Sequence, residues 1–266
     1  KNDAARHGRD REPDVRLRTE AREAAAADRI VAANAVERAD LVRHYGAAAA
    51  RIRVIPCGVD TTLFAPLPQA EARRCLGLGP GPLLLYVGRI APIKGLDTLL
   101  GAVRRLRRDG RPVRLLVVGG ETDEPRDGHE ADVRALAGRL GLDGVVTFVG
   151  PQPQQALRCW YTAADVTVLP SYYESFGMVA LEAMACGTPV IASQVGGLAF
   201  LVQDGVTGYT VPSEDKFALC DRLTDLLGDE ALRRRLGRQA AEYARAYDWS
   251  QVAERIVAVY RALAQG

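Results

Sequence analysis

Lysine is nearly missing from this sequence. Of its 35 basic residues only Lys1, Lys94 and Lys216 are lysines, and the other 32 are arginines, so a lysine in mid-chain is an unusual choice. The five cysteines form no C-x-x-C pair. That excludes a disulfide framework or a paired-cysteine zinc site and fits reduced thiols in a cytosol. No apolar run reaches the ~18 residues of a membrane span, and no signal-peptide pattern is seen. A one-sided charge is missing as well. A formal net charge of +2 argues against a dedicated nucleic-acid or membrane-surface binder, which carries a much stronger basic bias. The three histidines, His7, His44 and His129, fall in a polar tail, an amphipathic helical pattern and a polar loop, and none is placed for catalysis. No methionine heads the polar opening KNDAARHGRDREPD, which reads as the interior of a longer chain.

What is present is a regular alternation. The chain has 266 residues, 48% of them hydrophobic, enough for one large domain or two small ones. Short apolar runs at 82–90, 113–120, 145–150, 165–171, 188–193 and 207–212 are each followed by a helical pattern. After 82–90, for example, Leu96, Leu99, Leu100, Val103 and Leu106 fall on one helical face. After 188–193 the helical pattern is GGLAFLVQDG, and after 207–212 it is a long helical tail. Apolar strands separated by helices predict βαβ units and a parallel sheet buried on both faces. Right-handed crossovers make it an α/β, doubly wound, Rossmann-like sheet.

Residues 17–60 repeat this grammar on a smaller scale, as helix, strand (RIVAAN), helix and strand (RIRVIPCGVD). The expected organisation is a first α/β piece over 1–60, a proline-containing linker over 61–75, a complete α/β domain over 76–246 and a last helix over 247–266. The loop ETDEPRDGHE (121–130) reads as solvated.

In open α/β sheets ligands bind beyond the carboxyl ends of the strands. The first strand of the larger domain ends in G-R-I-A-P-I-K-G, which places Gly88, Arg89 and Lys94 in a loop opening a helix. Two cations there repel each other unless an anion sits between them, and a diphosphate fits. The plainer reading is a solvated loop. The third strand ends in F-V-G-P-Q-P (148–153), either a simple exit turn or a loop beside a base. The fourth leads into S-Y-Y-E-S-F-G-M-V-A-L-E (171–182), with Glu174 before a helix that starts near Phe176 or Gly177 and Glu182 on its second turn. Both acids can then face one cleft. A carboxylate accepts hydrogen bonds from two vicinal hydroxyls, so cations plus acids suit a nucleotide-sugar. The alternatives are an arginine ion pair for Glu182 and a helix-dipole role for Glu174.

The stretch ESFGMVALE followed by AMACGTPVIAS resembles the signature of retaining glycosyltransferases of the GT-B fold, in particular glycosyltransferase family 4. YVGRIAPIKG resembles that family's diphosphate-binding segment. RTEAREAAAADRIVAAN, ADLVRHYG and RIRVIPCGVDTTLF resemble its sucrose-phosphate-synthase-like and mycothiol-glycosyltransferase-like members. The resemblance runs from about residue 17 to the end. It implies that this is the C-terminal domain of a GT-B fold with a remnant of the N-terminal, acceptor-binding domain over 1–60.

The resemblance further implies roles. Arg89 and Lys94 would hold the donor diphosphate, and Glu182 the ribose. Glu174, with the amides at Phe176, Gly177, Met178 and Val179, would hold the donor sugar and distal phosphate. Val149, Gly150 and Gln152 would lie beside the base. No metal or other cofactor is expected, a UDP-sugar is the favoured donor, and the acceptor would be a sugar, lipid or small molecule bound by the missing N-terminal domain. The 247–266 segment resembles the helix that crosses back to that domain, and the setting implied is cytoplasmic. No GGxxxH-like stretch is found, so little transfer is expected of the chain alone. Other readings are a non-catalytic nucleotide-sugar module, or a sugar-nucleotide epimerase or phosphorylase of the same fold. A dinucleotide-dependent oxidoreductase is disfavoured because no G-x-G-x-x-G follows a first strand.

Overall fold

The computed structural model describes residues 14–120 and 128–265. His7 and residues 121–127 of the acidic loop lie outside the described residues. His129 belongs to no loop; it is the first residue of a helix.

The first part contains helix α1 (Asp14–Ala26), strand β1 (Ile30–Ala32), helix α2 (Ala35–Tyr45) and strand β2 (Ile52–Val54). β1 and β2 pair in parallel with Ile30 opposite Ile52, over a small core of Ala32, Ala47 and Ile52. Asn34 starts α2: its backbone is extended, and its side chain accepts from the Glu37 amide at 2.9 Å, the usual N-cap bond. Gly46 ends α2 with φ 67°, a left-handed stop.

The 61–75 segment, expected as a linker, ends in a helix, α3 (Gln69–Cys75). Then come β3 (Leu83–Gly88), α4 (Leu96–Arg108), β4 (Arg114–Gly119), α5 (His129–Arg139), β5 (Val146–Gly150) and α6 (Gln154–Ala163). β6 (Val166–Leu169), α7 (Met178–Ala185), β7 (Val190–Ser193), α8 (Leu198–Leu201) and β8 (Gly208–Val211) follow. The six strands β3–β8 form one sheet in the order β5-β4-β3-β6-β7-β8, and every adjacent pair is parallel. The order therefore reverses between β3 and β6. That is the switch point at which the crossovers diverge to opposite faces and leave a crevice.

Period-two alternation sorts β3 between two cores. Leu83, Leu85 and Val87 join Tyr161 of α6, Met184 of α7 and Ala240. Leu84 and Tyr86 join Leu99 and Val103 of α4, Val133 of α5 and Leu223. Within α4 the five apolar residues at i, i+3, i+4 spacing are all buried, as a one-faced helix requires.

Two expectations change. The helical pattern at 196–205 yields only the single turn of α8: Gly196, at φ 46°, serves a close backbone approach before it, and Val202 turns extended and ends it. The helical tail is three helices, α9 (Lys216–Gly228), α10 (Glu230–Ala244) and α11 (Trp249–Ala264). Asp229 and Asp248 break it, and each carboxylate caps the helix that follows, accepting from the Leu232 and Ser250 amides. The start of α11 is tied to the 58–61 segment. Val59 donates to the Tyr247 carbonyl at 2.8 Å, Trp249 donates to the Val59 carbonyl at 3.2 Å, and the Thr61 hydroxyl donates to Asp248.

Candidate functional site

The loops after β3 and β6 flank the switch point, and they are stitched to each other. The Tyr172 amide donates to the Ile93 carbonyl at 2.8 Å, and the Tyr172 hydroxyl donates to Asp97 at 2.5 Å. Gly95, which opens α4 at φ 65°, passes so close to the second loop that a Cβ there would lie 2.0 Å from the Pro170 carbonyl oxygen. The sequence places glycine where no side chain has room.

Gly88 ends β3 at φ 147°, and the chain turns out through Arg89 to a short 3-10 turn, Pro92–Lys94. The Arg89 side chain is exposed, while its carbonyl accepts from the Tyr86 hydroxyl at 2.6 Å. Burial pushes the Tyr86 hydroxyl well above its ordinary pKa, and Glu174 adds to the effect, so Tyr86 is a neutral donor that fixes the loop.

Lys94 turns inward. Its Nζ lies 2.5 Å from Glu174 Oε2, with the two side chains 19% and 17% exposed. The mid-chain lysine and the first of the two acids are thus direct partners, where the sequence suggested separate receptors. The Glu174 loop is held from two further sides. The Gly197 amide donates to the Glu174 carbonyl at 2.9 Å, and Asn34 Nδ2 donates to the Ser175 carbonyl at 2.6 Å. A Cβ on Gly196 would lie 1.9 Å from the Glu174 carbonyl oxygen.

The following helix, α7, begins bare. Gly177 stands at its N-cap with φ 101° and no side-chain cap, and no described group accepts from the Gly177, Met178 or Val179 amides. Unpaired amides at a helix start, reinforced by the helix dipole, suit an anion. Phe176 contributes only backbone, because its ring is buried in the core against Tyr247.

These pieces enclose a cavity of about 320 Å³ lined by Gly88, Arg89, Lys94, Glu174, Ser175, Phe176, Gly177, Met178 and Val179, with Tyr86, Ser171 and Cys57. Cys57, Asn34, Ser171 and the Gly196–Gly197 pair were not singled out in sequence. Only the last carries a local signal, a glycine pair just beyond a strand.

Glu182 does not share this cavity. It is 7% exposed on the inner side of α7 and accepts from the Tyr161 hydroxyl of α6 at 2.7 Å. Gln154, at the head of α6, is a second polar neighbour. Burial raises the Glu182 carboxyl pKa, and Tyr161 and Gln154 oppose the rise. Among the described residues neither an arginine partner nor a shared cavity with Glu174 is found; the helix phase at 182 turns the side chain toward α6. Val149, Gly150 and Gln152 also lie outside the cavity, at the end of β5, with β4 between it and β3.

Among the described residues no three His, Cys, Asp or Glu side chains gather so as to hold a metal ion, and no helix is long and apolar enough to cross a membrane. Cations, an inward acid and a bare helix start at the switch point of a parallel sheet make this a Rossmann-like ligand-binding domain suited to an anionic, hydroxyl-bearing ligand. The chain belongs to the glycosyl transferases group 1 family, whose model matches residues 69–243, while residues 3–63 match that of Glycosyltransferase Family 4.

It is 44% identical over 265 residues to a D-inositol 3-phosphate glycosyltransferase of Nocardia farcinica, covering 98% of this chain and 58% of that protein. To the D-inositol 3-phosphate glycosyltransferase of Kribbella flavida it is 42% identical over 255 residues, covering 94% and 60%. Among solved structures, sucrose-phosphate synthase from Thermosynechococcus elongatus superposes with a TM-score of 0.87 at 39% identity, over 95% of this chain and 62% of that one. Anabaena HepE, solved with UDP and glucose, shares the fold at 24% identity, with a TM-score of 0.83 over 93% and 67%. The chain therefore spans about three fifths of the length of the curated relatives it matches.

Proposed function

We propose that this chain is the donor-binding half of a retaining, metal-independent glycosyltransferase that takes a nucleoside-diphosphate sugar, with UDP favoured. The observation that carries the reading is the convergence of Arg89, Lys94, Glu174 and the uncapped start of α7 on one cavity at the switch point. Arg89 and Lys94 would neutralise the charge that grows on the leaving diphosphate as the bond from sugar to phosphate breaks, with the α7 amides holding the distal phosphate. Glu174 would accept from the sugar hydroxyls while its pairing keeps Lys94 in place. The nucleoside end would run toward Glu182 and the Val149, Gly150 and Gln152 loop, with the ribose at Glu182.

The acceptor would be a sugar, lipid or small molecule held largely outside this chain, and the chain alone would transfer poorly. The matched relatives are named for D-inositol 3-phosphate, so a cyclitol phosphate is the acceptor to try first. UDP is favoured on the likeness to sucrose-phosphate synthase, and the cytoplasmic setting rests on the cysteine usage.

The test is a metal-free thermal-shift panel with UDP, GDP, ADP and their glucose conjugates. A ligand at 100 times its dissociation constant adds about 2.7 kcal/mol, which is several degrees for a chain of this size. The expected result is a shift with UDP and UDP-glucose and none with the other bases. No shift with any nucleotide would overturn the reading for this chain.

A further inference from the structure

A helix start is capped about equally well by Ser, Asp or Asn. Of these only asparagine carries both an acceptor oxygen and amide N–H donors that stay neutral. Asn34 uses both ends. Its Oδ1 accepts from the Glu37 amide at 2.9 Å, and its Nδ2 donates to the Ser175 carbonyl at 2.6 Å. Glu37 closes the cap in return, its Oε2 accepting from the Ala33 amide at 2.5 Å. The Asn34 side chain is thus clamped on α2 with its amide aimed at the Glu174 loop, and the residue is 7% exposed. Two consecutive carbonyls of that loop are held from distant parts of the chain. Gly197, beyond β7, takes the Glu174 carbonyl, and Asn34, in the first part, takes the Ser175 carbonyl.

We infer that Asn34 is a positioning residue for the Glu174 carboxylate. Through it the first α/β part sets how tightly the cavity takes the sugar end of its ligand. The inference rests on the nucleoside-diphosphate-sugar reading proposed above.

Glu174 reaches the cavity from a loop whose next residue, Ser175, is exposed. Without Nδ2 the Ser175 carbonyl turns to water and the loop gains freedom. Ordering it again then counts against whatever Glu174 must hold. In the same reading the phosphates lie on Arg89, Lys94 and the α7 amides, so a nucleotide without sugar feels the change far less. A cap alone explains the Glu37 bond. It does not explain a residue whose second end is spent on the loop that carries the acid.

The experiment titrates UDP and UDP-glucose calorimetrically into wild type, Asn34→Ser, Asn34→Ala, Glu174→Ala and the Asn34→Ser/Glu174→Ala double variant, with a melting curve for each. Asn34→Ser keeps a cap and loses the bridge, so UDP-glucose should bind about 5–10-fold more weakly with UDP almost unchanged. Asn34→Ala loses the cap as well. It should melt below the serine variant yet show the same loss for UDP-glucose. In the double variant the serine should add nothing to the loss from Glu174→Ala, as a residue acting only through that acid requires. A wild-type chain that binds neither ligand would remove the donor reading, and this inference with it. With wild-type binding intact, four results would each overturn the inference alone: unchanged UDP-glucose affinity in Asn34→Ser, equal weakening of both ligands, losses that follow the melting point, or additivity in the double variant.

Discussion

Lys94 Nζ and Glu174 Oε2 stand 2.5 Å apart across 80 residues of chain, and each side chain is less than one fifth exposed. In so little water the pair is screened far less than a surface ion pair, and removing one partner strands the other. Lys94→Ala should therefore lower stability by about 1–3 kcal/mol and weaken UDP by about 1.5–3 kcal/mol. Glu174→Ala frees the lysine, so UDP affinity should hold or rise while UDP-glucose weakens by about 1–2 kcal/mol. Calorimetric titration of both variants with both ligands reads this directly. Equal weakening of UDP and UDP-glucose in Glu174→Ala would remove the sugar role from that residue.

Arg89 differs from Lys94 in being exposed with no ion pair among the described residues. Its truncation disturbs no packing, so Arg89→Ala should leave the stability within about 0.5 kcal/mol of wild type. UDP should still bind about 1.5–3 kcal/mol more weakly. Uridine, which lacks the phosphates, should bind both proteins alike. An Arg89→Ala variant with wild-type UDP affinity would show that the diphosphate lies elsewhere.

Gly196 tests whether the site depends on a close backbone approach. At φ 46° a Cβ would meet the Glu174 carbonyl oxygen at 1.9 Å, and neither a Cβ fixed by its backbone nor a backbone oxygen can rotate away. Gly196→Ala should push the Glu174 loop outward, cost roughly 2–4 kcal/mol of stability, and weaken UDP-glucose more than UDP. Gly46→Ala is the control: its φ is also positive, but a Cβ there meets nothing within 4 Å. Equal losses in the two variants would mean that backbone strain alone matters.

The sheet was legible because parallel strands buried on both faces read as unbroken apolar runs. The loops at 88–95 and 171–177 stood out because a lysine in an arginine-rich chain, and acids in a nearly uncharged stretch, contradict their surroundings. Partnerships were not legible. Asn34 reads locally as a helix cap, and nothing near it points to Ser175, 141 residues on. The Lys94–Glu174 pair follows from β3 and β6 being neighbours, a matter of strand order that no local pattern encodes. The apolar period of LAFLV matched a helix, but the glycines before it pack against the Glu174 loop and Val202 is extended, so only one turn forms. The Tyr161 partner of Glu182 was not legible either, because a loop and a helix start separate Glu182 from Glu174, so the spacing carries no fixed phase.

Glu182 links buried charge to pH. Its pKa is raised by burial despite the hydrogen bond from Tyr161. Below the unfolded value the carboxyl is neutral in both states and carries no penalty. As pH rises from that value through the folded pKa, the unfolded chain ionises first and folding loses stability. Glu182→Gln keeps an acceptor for the Tyr161 hydroxyl and removes the charge. The variant should match wild type in acid and melt higher than wild type above the folded pKa, a difference read from melting curves across pH. A variant less stable at neutral pH would mean that the hydrogen bond outweighs desolvation. In the ligand arm, a glutamine accepts through one oxygen where a carboxylate offers two, so UDP should weaken by about 1 kcal/mol. Unchanged UDP affinity would leave Glu182 as a strut between α6 and α7, with the ribose held by other groups.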